Sequence, residues 1–73
     1  MKKLLELLKK EYPGVNFEEE ETLVTDGTLD SVEIVSLIGE IEDTFDITIS
    51  MEYIKPENFN SAKAMWEMIE ELQ

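Results

Sequence analysis

Leu4, Leu5, Leu8 and Tyr12 recur at helical spacing with lysines and glutamates between them, so residues 2 to 12 are predicted as an amphipathic helix. Pro13-Gly14 ends it. Val15 and Phe17 follow and are expected to tuck back against that helix. The run Glu18 to Glu21 reads as a solvated loop, because like charges packed this closely stay exposed. Leu23 and Leu29 are the apolar anchors of an otherwise polar connection from Pro13 to Asp30. Such a connection is long for a small domain, and long ordered loops are functional or pinned by a few apolar residues.

A second helix is predicted from about Ser31 to Thr44. Ile34, Leu37, Ile38, Ile41 and Phe45 form one stripe at steps of three and four, which assigns them to the core. Val32, Val35, Ser36, Gly39, Glu42 and Asp43 fall on the other side, apolar near Ser31, small in the middle and acidic at the end. A glycine inside a helix costs about 1 kcal/mol against alanine. Gly39 therefore marks a docking face, the close approach of another helix, or a slight bend. Asp46 ends the helix, and Ile47-Thr48-Ile49 has no partner strand, so it reads as a connector. Ser50 is expected to cap a short turn through Met51 to Ile54, stopped at Lys55-Pro56. Phe59 is a core plug, and Asn60 or Ser61 caps a last helix whose Ala62, Met65, Trp66, Ile69 and Leu72 share a face. The expected fold is all-α: one domain over residues 1–73, a small irregular bundle of three main helices plus one short helix, with a long loop between the first two.

Composition narrows the chemistry. At 73 residues the chain is near the size at which one core suffices, and it has no cysteine for disulfides or thiolate metal sites. It also has no histidine, which removes the commonest general base and most zinc chemistry. Eighteen acids against six lysines, with no arginine, give a net charge of -12. Such a surface repels nucleic acid and anionic lipid and attracts proteins with basic patches. Met1-Lys2-Lys3-Leu4-Leu5 is like a signal peptide only superficially, since its apolar run breaks at Glu6 and Lys9-Lys10. The expectation is a cytoplasmic monomer that engages neither membrane nor nucleic acid.

One stretch combines these signals: Asp26-Gly27-Thr28-Leu29-Asp30-Ser31-Val32-Glu33, running into Ile34-Val35-Ser36-Leu37-Ile38. Asp30 and Glu33 fit a capping box, so Ser31 lies where backbone N–H groups are unpaired and the helix dipole is positive. A phosphate esterified to that hydroxyl would meet a favourable field. The plainer meaning of Asp-Ser before an apolar run is a helix start. A calcium loop is a poor alternative, since counting from Asp26 the glycine falls second and the twelfth residue is Leu37. No metal site and no catalytic residue is expected, because Ser31 has no base near it in sequence.

The chain resembles the acyl carrier protein family, the small acidic domains that bear acyl or aminoacyl groups on a 4'-phosphopantetheine arm. The resemblance covers essentially the whole chain, centred on Asp26 to Val35 and continuing in Ile41-Glu42-Asp43-Thr44-Phe45-Asp46. It implies attachment of the phosphopantetheine to Ser31, with Asp30 as the acid that precedes it. Val32 stands where members commonly have leucine. Ser36 and Gly39 stand where many fatty-acid carriers place a large apolar residue and further acids. The form Asp-Gly-x-Leu-Asp-Ser is closer to stand-alone carriers of the D-alanyl or peptidyl kind, paired with an adenylating enzyme, than to Gly-Ala-Asp-Ser-Leu fatty-acid carriers. The implied partners are a phosphopantetheinyl transferase (holo-carrier synthase) and loading and acyl-transferring enzymes with basic docking patches. They serve fatty-acid, polyketide or related biosynthesis. Val32, Glu33, Val35, Ser36, Gly39, Glu42 and Asp43 are the expected docking residues, with Glu40 and Asp46 as further steering charges. An acidic helical module that binds a basic partner without any modification is the alternative.

Overall fold

The structure, a computed structural model, describes all residues, Met1–Gln73, and its regular secondary structure is all helical, with no strand. Helix α1 spans Lys2–Glu11, with Lys9 and Lys10 in its last turn complementing the negative end of the dipole. It ends one residue before the spacing suggests, because Tyr12 is already the cap and its amide donates to the Leu8 carbonyl at 2.8 Å. Leu4 and Leu8 are wholly buried. Phe17 does tuck back: it is buried, and its ring meets Tyr12 edge to face at 6.3 Å. Leu23 and Leu29 are also buried, and the Leu29 amide donates to the Leu23 carbonyl at 2.8 Å. The intervening loop therefore closes on itself between its two anchors. Gly27, at φ +85°, supplies the left-handed corner that a side chain would strain.

Helix α2 runs Ser31–Phe45, a residue beyond the expected end, and stops where Asp46 turns left-handed at φ 53°. Ile34, Leu37 and Ile41 are buried, with Ile38 and Phe45 half-buried beside them. The predicted stripe is the core stripe. Phe45 meets Trp66 edge to face at 5.9 Å, and Ile49 in the irregular connector is buried.

The next segment departs from the sequence reading. Met51–Tyr53 is a single 3-10 turn, and Ser50 does not cap it through its side chain. The Ser50 hydroxyl donates to Glu52 Oε1 at 3.2 Å, and no backbone amide of the turn donates to its oxygen. The short helix lies further on, as α3 at Pro56–Phe59. The proline that stops the preceding turn also starts this helix, since a first-turn position needs no N–H and welcomes its fixed φ. Lys55 before it is extended, as the proline ring demands. Phe59 is the core plug expected.

Helix α4 spans Ala62–Leu72, capped by Ser61 Oγ, which accepts from the Ala64 amide at 3.0 Å. It packs on both α1 and α3. Ala62, Met65 and Ile69 are buried and Trp66 and Leu72 half-buried, but Met68 is buried as well. Contact with two helices widens the buried stripe beyond one narrow face. The 14 buried residues are all apolar, and no buried side-chain polar atom lacks a partner. No helix is long and apolar enough to cross a membrane.

Candidate functional site

The capping box read from the sequence is present. Asp30 Oδ1 accepts from the Glu33 amide at 2.9 Å, and Glu33 Oε1 accepts from the Asp30 amide at 3.2 Å. The Ile34 amide donates to the Asp30 carbonyl at 2.9 Å. The amides of Ser31 and Val32 are thus the first-turn donors left without a partner in the chain. Ser31 is the first helical residue and is exposed, and the hydrogen bonds around it leave its hydroxyl free.

The loop before Ser31 is built as firmly as the cap. Asp26 Oδ1 accepts from the Thr28 hydroxyl at 2.7 Å and the Thr28 amide at 2.9 Å, while Oδ2 accepts from the Thr22 hydroxyl at 3.2 Å. The Thr28 hydroxyl and amide, with a smaller share from Thr22, hold the Asp26 carboxyl below its ordinary range. A second brace comes from far along the chain. Asn60 Oδ1 accepts from the Val24 amide at 2.9 Å, the Thr25 amide at 3.0 Å and the Thr25 hydroxyl at 3.3 Å. The Leu23 amide donates to the Asn60 carbonyl at 3.0 Å. Of the two residues proposed as cap of the last helix, Ser61 does the capping and Asn60 clamps the loop. A third tie joins α1 to the site, as the Tyr12 hydroxyl donates to the Glu33 carbonyl at 3.4 Å. Partial burial, followed by the charges of Glu33, Glu11, Asp30 and Glu40, raises the Tyr12 pKa.

Beyond Ser31, the expected docking residues separate. Val32 and Val35 are 75% and 69% exposed, and Ser36, Gly39, Glu40, Asp43 and Asp46 are exposed too. Glu33 is half-buried in the cap. Glu42 does not sit freely on this face: it is half-buried, and its Oε2 accepts from the Ile49 amide at 2.8 Å. That bond holds the connector against the end of α2, so Glu42 has a structural task. A Cβ on Gly39 would meet nothing within 4 Å, which excludes close approach of another helix of this chain. Met51, at 86% exposure, is a large apolar residue that the sequence pattern did not place on the surface.

Ser31 also opens on a hollow of about 260 Å³ between the start of α2 and the segment from Ile54 to Phe59. Its walls are Val24, Ile34, Val35, Ile54, Pro56 and Phe59, and its polar side chains are Ser31 and Lys55. No local sequence signal brings Lys55 here, because it arrives across the bundle on the turn before α3. No group of three or more acids lies close enough together to hold a metal ion. Compared with protein-family models, curated proteins and solved structures, the chain matches none.

Proposed function

We propose that this protein is a carrier, and that Ser31 bears a 4'-phosphopantetheine arm on which acyl or aminoacyl groups are passed between enzymes. The observation that carries the reading is the free, exposed hydroxyl at the first position of a braced helix, with two unpaired amides beside it. In the modification, Ser31 Oγ would attack the β-phosphorus of coenzyme A. The O–P bond forms as the pyrophosphate P–O bond breaks, adenosine 3',5'-bisphosphate leaves, and the hydroxyl proton passes to a base of the transferase. The amides of Ser31 and Val32 and the helix dipole would then face the phosphodiester. The arm supplies a terminal thiol that holds cargo as a thioester, so the chain needs no acid–base residue of its own. Its own residues supply a fixed origin and a surface for brief encounters. Val32 and Val35 offer a small apolar contact, and the acids around them attract basic partners at rates that fall with salt.

The test is incubation of the unmodified protein with coenzyme A, magnesium and phosphopantetheinyl transferases of broad specificity. The expected result is a mass gain of one phosphopantetheine, absent in Ser31→Ala. No gain with several transferases would return the protein to an unmodified acidic interaction module.

A further inference from the structure

We propose that the groove between α1, the turn from Phe17 to Glu21 and the entry to α4 is a second docking site, which takes one large apolar side chain of a basic partner protein. The groove has a volume of about 440 Å³ and shares no residue with the hollow beside Ser31. No residue of α2 lines it, so it is separate from the face that carries Val32 and Val35. Its apolar lining is Phe17 and Ala62, both buried, with half-buried Leu5 and Met1, which is 36% exposed. A recess of this size lies near the low end of the roughly 300–1,000 Å³ of ligand clefts, and suits a side chain or two rather than a whole helix. The inference does not depend on Ser31 bearing an arm.

The charged residues of the groove decide the charge of its occupant. Glu18, Glu19, Glu20 and Glu21 all line it, and Lys63 is the one lysine among its walls. The turn holds these acids together, since the Glu19 and Glu20 amides both donate to the Asn16 carbonyl, at 3.2 and 3.0 Å. Glu18 has a weak, exposed partner in Lys9 at 3.7 Å, and the other three acids are in no ion pair within the chain. Like charges gathered beside an apolar lining repel one another. A lysine or arginine brought in next to an apolar anchor would relieve that repulsion. Nucleic acid and anionic lipid are repelled by the same charges. A second copy of the chain is the other candidate, because Lys2, Lys3, Lys9 and Lys10 are all exposed on α1. Two bodies of charge -12 repel each other, however, whereas a basic protein is drawn both to the groove and to the molecule as a whole. A partner seated here would leave Ser31 and the exposed face of α2 open to others.

The probe is a short peptide of alanine and lysine with one central phenylalanine, titrated into the 15N-labelled full chain while amide shifts are followed. The amides of Leu5, Phe17, Glu20 and Ala62 should shift saturably, and those from Val32 to Asp43 should shift less. Replacing the phenylalanine of the peptide by serine should weaken binding roughly tenfold or more, as the loss of a buried aromatic requires. Combining Glu19→Gln, Glu20→Gln and Glu21→Gln should weaken it about fivefold, since exposed charges contribute little each. Circular dichroism checks the fold of that variant, and the serine peptide tests the groove without any change to the protein. Equal binding of the serine peptide, shifts centred on α2, or no saturable shift would each overturn the docking site. A dimer of the protein alone in sedimentation, lost in the triple variant, would overturn the separate partner and assign the groove to a second copy. Loading of Ser31, measured by mass, is unaffected by any of these results.

Discussion

Replacing Asn60 should loosen the loop that delivers Ser31, although Asn60 lies outside that loop and far from it in sequence. Its Oδ1 accepts from the half-buried Val24 amide and from the Thr25 amide and hydroxyl, which are exposed. In Asn60→Ala water can replace the acceptor for Thr25, but less readily for Val24. Leaving a partly buried amide unpaired costs about 1–2 kcal/mol, and losing the exposed bonds adds roughly 0.5, for a total near 2 kcal/mol. For a domain of this size that is a fall in Tm of roughly 8–16 °C. Asn60→Asp keeps an acceptor oxygen in the Oδ1 position and should lose much less, since the bond it forgoes is the exposed one from Nδ2 to Thr25 Oγ1 at 3.1 Å. Urea and thermal unfolding followed by circular dichroism measure both variants. Slower loading of Ser31 by a transferase, at a temperature where Asn60→Ala is fully folded, would tie the clamp to the site. A loss in Asn60→Ala below about 0.5 kcal/mol, the range of ordinary surface changes, would refute the clamp. So would an equal loss in Asn60→Asp.

Gly39→Ala should stabilise the protein by up to about 1 kcal/mol, because the added Cβ meets nothing within 4 Å; a lower midpoint in urea would show that the glycine is needed within the chain. Asp26 should give a pH signature: its folded pKa is depressed, so its contribution is complete above the ordinary carboxylate range and is lost as pH falls through the lowered value. The stability of wild type relative to Asp26→Asn, which cannot ionise, should therefore decline from pH 6 toward pH 2, and a constant difference over that range would contradict the hydrogen bonding assigned to Thr28. Charge reversal should distinguish Glu42 from its neighbour: Glu42→Lys should lower Tm through loss of the Ile49 contact, whereas exposed Asp43→Lys should leave Tm within a few degrees. Equal melting points for these variants would remove the structural role of Glu42.

What is legible in the sequence is what neighbours in the chain decide. The capping box of Asp30 and Glu33 closes over three residues, so identity and spacing suffice to place it. The same holds for the stripe of Ile34, Leu37 and Ile41, because helical periodicity fixes which residues share a side. Glu42 escapes such a reading for the complementary reason. Its partner, Ile49, lies beyond the left-handed corner at Asp46, and the direction taken after such a corner is not written in periodicity. Asn60 and Ser61 are equivalent cap candidates by residue type. Only the arrival of the Val24 and Thr25 amides from the other side of the bundle separates them. Pro56 shows a local rule applied in one direction only, for the proline that forbids helix behind it favours helix ahead.

The local and the non-local meet at Ser31. Local signals make it the start of a helix with a spare hydroxyl, and many helices have that much. Non-local contacts make it a fixed point: Asn60 from the approach to α4 holds the loop, and Tyr12 from the end of α1 reaches the first turn. Both come from the end of another helix, where the chain already reverses. A flexible arm presents its far end reproducibly only if its root does not wander, so bracing at the root is what a carrier would need. An incidental helix start would need none of it. Were Ser31 only a helix start, these braces could be removed with loss of stability alone; as the root of an arm, their removal should also change how the hydroxyl is reached. Loading rates measured below the unfolding range of each variant separate those outcomes.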